Sequence, residues 1–368
     1  MEIFGFGVSG EIPGQPHTQA LRDLFDVVRE ADRLGIDGWF FTEHHGNSQF
    51  SITPAPNLLI AALAQTTSRI RLGNMVTVLP FHHPLRVAEE TRTLDLLSGG
   101  RLEMGFGRGH LPLEQRAFGV DREQTVEMFD AALDIVQRLL GGETVDYRTP
   151  WWNGDGASAV PEPVRQEIPL WITCSSQSSI DRCAMRGANC ATALLTRNAA
   201  DERLAEYRAS WDRHHPDRLG EGKFSVSATV AVADTEAEAV RQVKSELAKH
   251  QAVYGQAVAA PDGPLTGSYA AHRATYEQFV GATYDRLVDD GLLIVGTVEQ
   301  CREQMVRLRD RGFDRVLCVF QSDETGYEFA LESMRRFATE VVPYVRAQAP
   351  ASAEAERPSV ISTGAGRF

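Results

Sequence analysis

Short β-prone runs alternating with amphipathic helical stretches along nearly the whole chain predict an α/β fold, a (β/α)8 barrel of the TIM type. Two further observations agree with it. Glycine follows the last periodic residue of several helical stretches, at Leu34-Gly35, Ser98-Gly99-Gly100, Arg186-Gly187 and Arg311-Gly312, where a left-handed cap is wanted. A length of 368 residues also accommodates one large α/β barrel with insertions, here expected as a single domain over residues 1–346.

The repeat is read in order as follows. A strand at Ile3–Val8 leads to a helix at Thr18–Leu34, and the aromatic run Gly38–Phe41 leads to Pro54–Thr67. Ile70–Val76 precedes Pro84–Leu97, and Arg101–Phe106 precedes Arg122–Leu140. The second half continues with Leu170–Cys174 and Ser178–Gly187, Cys190–Leu194 and Asp201–His214, Ser225–Val232 and Thr235–Tyr254. A helix at Val298–Arg311 comes before the last strand, Arg315–Phe320, and a helical pattern at Tyr327–Arg346 closes the series.

Three segments break the pattern and are expected at the rim. Gly142–Glu167, with Trp151-Trp152-Asn153-Gly154-Asp155-Gly156 and several prolines, is too turn-rich for a helix and is expected to cover the barrel edge. Gln256–Ala282 contains Pro261-Asp262-Gly263-Pro264 and reads as a long, partly mobile excursion or lid near the active face. Residues 347–368, rich in Ala, Pro, Ser and Gly, read as a disordered tail or an arm on a neighbouring subunit.

Composition narrows the function classes. No apolar run approaches the ~20 residues of a membrane span, and the first residues lack a basic signal-peptide start, so a soluble, cytoplasmic protein is expected. A net charge of −13 disfavours nucleic acid and anionic membranes as partners, while leaving room for a local basic pocket. The five cysteines are far apart in sequence and form no Cys-x-x-Cys pair, which argues against a disulfide framework or zinc site and for reduced, buried thiols. Neither His82-His83 nor His214-His215 carries a His-x3-His or Glu-x-x-His spacing, so no catalytic metal is expected.

Chemistry concentrates where Trp39-Phe40-Phe41-Thr42 runs into Glu43-His44-His45-Gly46. Side chains alternate along a strand, so the two imidazoles point opposite ways and one of them can enter a shared cleft. Glycines at 5, 7 and 10 satisfy G-x-G-x-x-G, but no strand precedes them and Glu11-Ile12-Pro13-Gly14 follows where a helix should open on a pyrophosphate. Close packing or close approach of a ligand explains them instead. A better anion site is Ser175-Ser176-Gln177-Ser178-Ser179, between an apolar strand and a helix start, where hydroxyls and free backbone N–H groups suit a phosphate monoester. Ordinary serine N-capping is the alternative. Arg108, in Gly105-Phe106-Gly107-Arg108-Gly109, belongs to the same rim and can make charge-assisted contacts to phosphate; its alternative is an ion pair with Glu103 or Asp121.

These residues occur in an order that resembles the bacterial luciferase-like flavin-dependent monooxygenases. The resemblance rests on the Glu43-His44-His45 strand end, Leu72–Pro80 followed by His83-Pro84, Leu94–Arg101, Gly105-x-Gly107-Arg108-Gly109, the serine cluster with Arg186-Gly187, and Val295–Cys301. It implies a barrel binding FMN at the C-terminal ends of its strands. Arg108, Ser176 and Ser179, with Ser175 beside them, would hold the phosphate. The backbone of Met75-Val76 would lie against the isoalloxazine ring, a non-proline cis peptide being one way to do so. His44 would be the catalytic imidazole, with Glu43 or His45 orienting it. Luciferases carry glutamate at the position of Ser175 and a reactive cysteine at that of Gly107, and the glycine is expected to leave room beside the flavin.

The implied activity is that of a monooxygenase using reduced FMN as cosubstrate and O2, through a flavin 4a-hydroperoxide, on a small to medium, partly apolar organic substrate. Phe6, Phe106, Met75 and Trp39 are candidates for pocket walls or for core. The lack of a credible dinucleotide motif points to a separate NAD(P)H:flavin reductase, and the resemblance implies a homodimer. A deazaflavin-dependent reductase or dehydrogenase of the same fold and a non-catalytic flavin-binding homologue are the alternatives.

Overall fold

Register along the first two strands explains the glycines. Phe4 pairs with Gly38 and Gly5 with Trp39. A Cβ on Gly5 would fall 2.0 Å from the Trp39 ring, and one on Gly38 would fall 2.2 Å from the Phe4 ring. Close packing of aromatic rings, one inside the barrel and one outside it, therefore requires glycine at both positions. The computed structural model describes residues 1–348 apart from 8, 9, 13, 166, 175, 260–266 and 321–325, and describes backbone alone at 245, 246, 249, 250, 253–259 and 267–272. The expected tail at 347–368 lies almost wholly outside the described residues.

The first half runs β1 (Glu2–Gly7), α1 (His17–Leu34), β2 (Gly38–Phe41), α2 (Pro56–Ala64), β3 (Arg71–Val78), α3 (Pro84–Ser98), β4 (Leu102–Gly107), α4 (Pro112–Ala117) and α5 (Thr125–Leu140). A hairpin, β5 (Val145–Arg148) and β6 (Asn153–Ala157), follows. Next come β7 (Leu170–Thr173), α6 (Gln177–Met185), β8 (Asn189–Ala191), α7 (Arg197–His214), β9 (Phe224–Val232), α8 (Glu236–Ala259), α9 (Gly267–Val280) and α10 (Tyr284–Asp290). The chain ends with β10 (Leu293–Gly296), α11 (Val298–Asp310), β11 (Arg315–Val319), α12 (Tyr327–Arg336), a π-helical turn and α13 (Val342–Ala347). Among the described residues from Gly10 to Pro16 no helix opens, which speaks against a dinucleotide role for the first glycines.

Parallel pairing in the order β1-β2-β3-β4-β7-β8-β9-β11 returns to β1 and closes an eight-stranded barrel. The glycines expected to close helices after Leu34, Ser98, Arg186 and Arg311 are all left-handed, at φ 81°, 63°, 68° and 89°. Among the described residues, no helix is long and apolar enough to cross a membrane.

Three expectations change. The sequence pattern predicts eight strands; the structure adds a ninth parallel one, β10, paired with the upper part of β9 from Thr229 to Val232. Within 256–282 much of the expected excursion is helical, because α8 continues to Ala259 and α9 occupies Gly267–Val280, while Pro261-Asp262-Gly263-Pro264 lies outside the described residues. Gly142–Glu167 does not cap the rim. Its hairpin lies along the barrel flank, with Val145 and Tyr147 buried, Trp151 Nε1 donating to Gln124 Oε1 at 3.1 Å, and Arg165 paired with Asp95 of α3.

Inward side chains stack in two layers below a hollow upper end. At the bottom, the buried Arg315 guanidinium donates to Glu103 Oε2 (2.7 Å) and Glu2 Oε2 (2.9 Å) and lies 3.6 Å from the Phe4 centroid and 4.1 Å from that of Trp171. Arg71 bonds the same two carboxylates, at 2.8 and 3.0 Å. Phe4, Phe40, Trp171 and Leu317 form the middle layer. Above them the barrel is hollow.

Replacing Arg315 by Met leaves Glu103 and Glu2 short of a buried partner and should destabilise the protein by about 3–5 kcal/mol in denaturant unfolding, with part recovered in Arg315→Met/Glu103→Gln. Burial alone would raise the Glu2 carboxyl, but Arg315, Arg71 and Lys223 bring it down to about 2 from 4.5. A lowered pKa stabilises the fold above the unfolded value and ceases to do so as pH falls through the folded one. Stability should therefore drop between about pH 4.5 and 2 by up to about 3 kcal/mol on this account, a slope that Glu2→Gln should flatten.

Candidate active site

The hollow upper barrel is a cavity of about 310 Å³ at the C-terminal ends of the strands. Its floor comes from Phe6, Met75, Gly107, Thr173, Ala191 and Val319, and its outer wall from Val243, Leu247, Tyr276 and Phe279 of α8 and α9. The segment expected as a lid thus supplies a helical wall.

Beyond Phe41 the chain leaves the strand and directs its two histidines differently, as alternation suggests. His44 lines the cavity; its ring meets Phe50 edge-on at 4.3 Å, and its Nδ1 lies 3.0 Å from Glu114 Oε1. With a carboxylate as acceptor, Nδ1 carries the hydrogen, and Nε2 is the nitrogen left to exchange a proton. His45 turns aside, its ring packing at 4.6 Å on Phe118 and its Nε2 lying 3.0 Å from Glu43 Oε1.

Glu114 also accepts from the His45 backbone N–H at 2.8 Å, so one buried carboxylate fixes both the ring and the main chain of this turn. The expectation that Glu43 or His45 orients His44 is corrected. Glu43 is occupied by His45, by His82 Nε2 at 2.7 Å and by the Val78 N–H at 3.0 Å, tying the end of β2 to the end of β3. Glu114 lies 70 positions from His44 on a six-residue helix. The one local signal for that helix is Pro112, a favoured first helical residue, just before it.

At the middle of the cavity, the β3–β4 register moves from Asn74↔Met104 to Thr77↔Phe106, leaving Met75 and Val76 as a bulge joined by a non-proline cis peptide bond. A bulge of this kind re-aims side chains, and both residues line the cavity. The room expected at Gly107 is filled: a Cβ there would lie 2.3 Å from Val76 Cγ2. Of the proposed walls, Phe6 and Met75 face the cavity, whereas Phe106 and Trp39 are buried in the packing between barrel and helices.

The opposite end is basic. Ser176 and Ser179 form a capping box at the start of α6, with Ser176 N donating to Ser179 Oγ at 3.1 Å and Ser179 N to Ser176 Oγ at 3.4 Å. The hydroxyls thus serve as ordinary caps and still border the cavity. Ser175 lies outside the described residues. Arg108 borders the same space, and Glu103, one of its two suggested partners, is at the far end of the barrel in the Arg315 cluster. Sequence reasoning missed Arg182 and Arg186, which add two guanidinium groups at this end. Spacing of three and seven residues from Ser179 along α6 was the available signal. Arg186 pairs with Asp130 at 3.7 Å, and its buried Nε has no hydrogen-bond partner among the described residues.

Comparison with known proteins agrees with this architecture. Limonene 1,2-monooxygenase of Rhodococcus erythropolis is 29% identical over 331 residues, 88% of this chain and 81% of that protein. A monooxygenase from Streptomyces bottropensis shares the fold with a TM-score of 0.80 at 22% identity, over 94% of this chain and 99% of the other. The oxygenating constituent of 3,6-diketocamphane monooxygenase from Pseudomonas putida, solved in complex with FMN, gives a TM-score of 0.76 at 21% identity over 93% and 98% of the two chains. The family model for luciferase-like monooxygenase matches residues 1–315, and the chain belongs to that family.

Proposed function

We propose that this protein is a monooxygenase that takes reduced FMN and O2 and oxidises a small to medium, partly apolar organic molecule. The observation that carries the reading is the joining, in one cavity, of a cationic, serine-capped helix start to a carboxylate-held imidazole, with an apolar bulge between them.

The residues present fit FMN. A phosphate monoester matches Arg108, Arg182 and Arg186 with the α6 N-terminus, and it supplies an acceptor for the buried Arg186 Nε. Met75, Val76 and Phe6 offer apolar surface to a planar ring system. Bound there, reduced FMN supplies the electrons that activate oxygen. Arg108, Ser176 and Ser179 would hold the anionic end, and Met75 and Val76 would offer their apolar surface to the ring. His44, kept in one tautomer by Glu114, holds or delivers a proton at Nε2. Glu43 braces the end of β2 against that of β3, and the α8–α9 wall keeps water from the reacting end. The substrate belongs between His44 and that wall, where His110 Nε2 and Tyr276 OH lie 3.1 Å apart.

A separate NAD(P)H:flavin reductase supplying the reduced cofactor, and a homodimer, are part of this reading. The relative solved with FMN is itself the oxygenating constituent of its monooxygenase, which supports a two-component system.

With reduced FMN from an added reductase, isotopically labelled O2 and a panel of terpenes and cyclic ketones, mass spectrometry should find one labelled oxygen in a product. Hydride transfer with a deazaflavin but no product with FMN would overturn the assignment. So would NAD(P)H consumption by the purified chain alone at the rate of product formation. Arg108→Ala should weaken FMN binding at least about tenfold by fluorescence titration, since one charge-assisted contact is worth ~1.5–3 kcal/mol. His44→Asn should leave FMN affinity intact while turnover falls by ~10²–10⁴. Glu114→Gln should lower turnover less and displace the pH profile.

A further inference from the structure

Three of the five cysteines, dispersed in the sequence, converge in the fold: Cys174 at the end of β7, Cys183 on α6 and Cys190 in β8. All three are buried and free, and their sulfurs lie within 4.8 Å of one another. The topology produces this. β7 and β8 are neighbours in the ladder, with Cys174 N donating to Ala191 O at 2.9 Å, and α6 packs back over both after the serine-capped turn. Cys301 and Cys318, also buried, belong to other elements.

We propose that Cys174, Cys183 and Cys190 form a binding site for a thiophilic d¹⁰ cation, next to the serine-capped end of the cavity. Metal–thiolate bonds of about 2.3 Å place three sulfurs roughly 4 Å apart around one ion, so the observed spacing needs only small side-chain rotations to close. Soft sulfur donors without oxygen or nitrogen select soft ions over magnesium, calcium or manganese. Cys174 and Cys183 also line the cavity, which gives the ion an entry path and leaves its fourth position open on that side. On binding, each coordinating thiol gives its proton to solvent and no electron is transferred. Three thiolates around a divalent ion leave one net negative charge, and the neighbouring Arg182 guanidinium and α6 N-terminus offset it. The Sγ groups now donate to main-chain carbonyls, Cys174 to Ser179 O at 3.4 Å and Cys183 to Ala188 O at 3.3 Å, weak bonds that the metal would replace.

Cadmium is the probe. Equilibrium dialysis of the full chain should find one tightly held Cd²⁺, X-ray absorption at the cadmium edge should count three sulfur neighbours, and the melting temperature should rise. Cys190→Ala should lose the tight site, whereas Cys301→Ala and Cys318→Ala should keep it. No binding at micromolar cadmium would overturn the proposal. So would fewer than three sulfur neighbours, or binding unchanged in a folded Cys190→Ala. Should Cys190→Ala fail to fold, the sulfur count in the unaltered protein decides the matter. The outcome is independent of FMN, since the metal is tested in its absence.

Discussion

A single guanidinium inside the barrel sets the geometry of everything above it. Arg315 is fully buried, a state that costs several kcal/mol unless every donor is used and the charge is matched. Glu2 and Glu103 match it, Trp171 Nε1 bonds the same Glu103 Oε2 at 2.7 Å, and Phe4 and Trp171 offer ring faces. The cluster joins β1, β3, β4, β7 and β11 at their lower ends. A one-residue slip of any of these strands would turn its member of the cluster outward and break the charge balance. Fixing the bottom also fixes parity at the top: Gly107 and Thr173 lie an even number of residues above Glu103 and Trp171 and so face the cavity.

Two carboxylates meet at the mouth and do different work. Burial by itself would raise Glu43, but hydrogen bonds from His45, His82 and the Val78 N–H hold it below its ordinary range. Burial would lower His82, and the Glu43 carboxylate raises it instead. The pair is thus stabilised in its charged form, and a carboxylate spoken for by three donors is poorly suited to take a proton from a substrate. On the proposed reading, proton movement would fall to His44, whose orientation comes from a separate helix. The His44 ring is thus held by Glu114, separately from the Glu43 strut between β2 and β3.

Much of this was legible in the sequence because periodicity reports burial. Strands flanked by long amphipathic helices were found within a few residues, and the strand end at His44, the bulge site Met75-Val76, Arg108 and Ser176 all border the cavity. What escaped depends on contacts that periodicity does not encode. β10 is four residues long and wedged between two helices, so it presents no alternation to read. Glu114 acts across 70 positions, and its helix is shorter than two turns. Gly107 was read as open space because the sequence does not show that the neighbouring bulge fills it with Val76. The cysteines seemed unrelated because linear spacing hides a convergence that strand adjacency creates.

An acidic chain with a cationic cavity end raises the question of which anion suits it. Arg108, Arg182 and Arg186 bring positive charge to this end, and Asp130, which also borders the cavity, pairs with Arg186. A phosphate monoester, which carries about −1.5 to −2 near neutral pH, suits such a cationic end better than an uncharged flavin, which would leave the Arg186 Nε unsatisfied. At the other end Glu43 is matched by His82, and Glu114 accepts from His44 Nδ1. On the proposed reading, field and shape would therefore act in the same sense, the cationic α6 end drawing the phosphate and the apolar Met75-Val76 bulge receiving the planar ring on the side of His44.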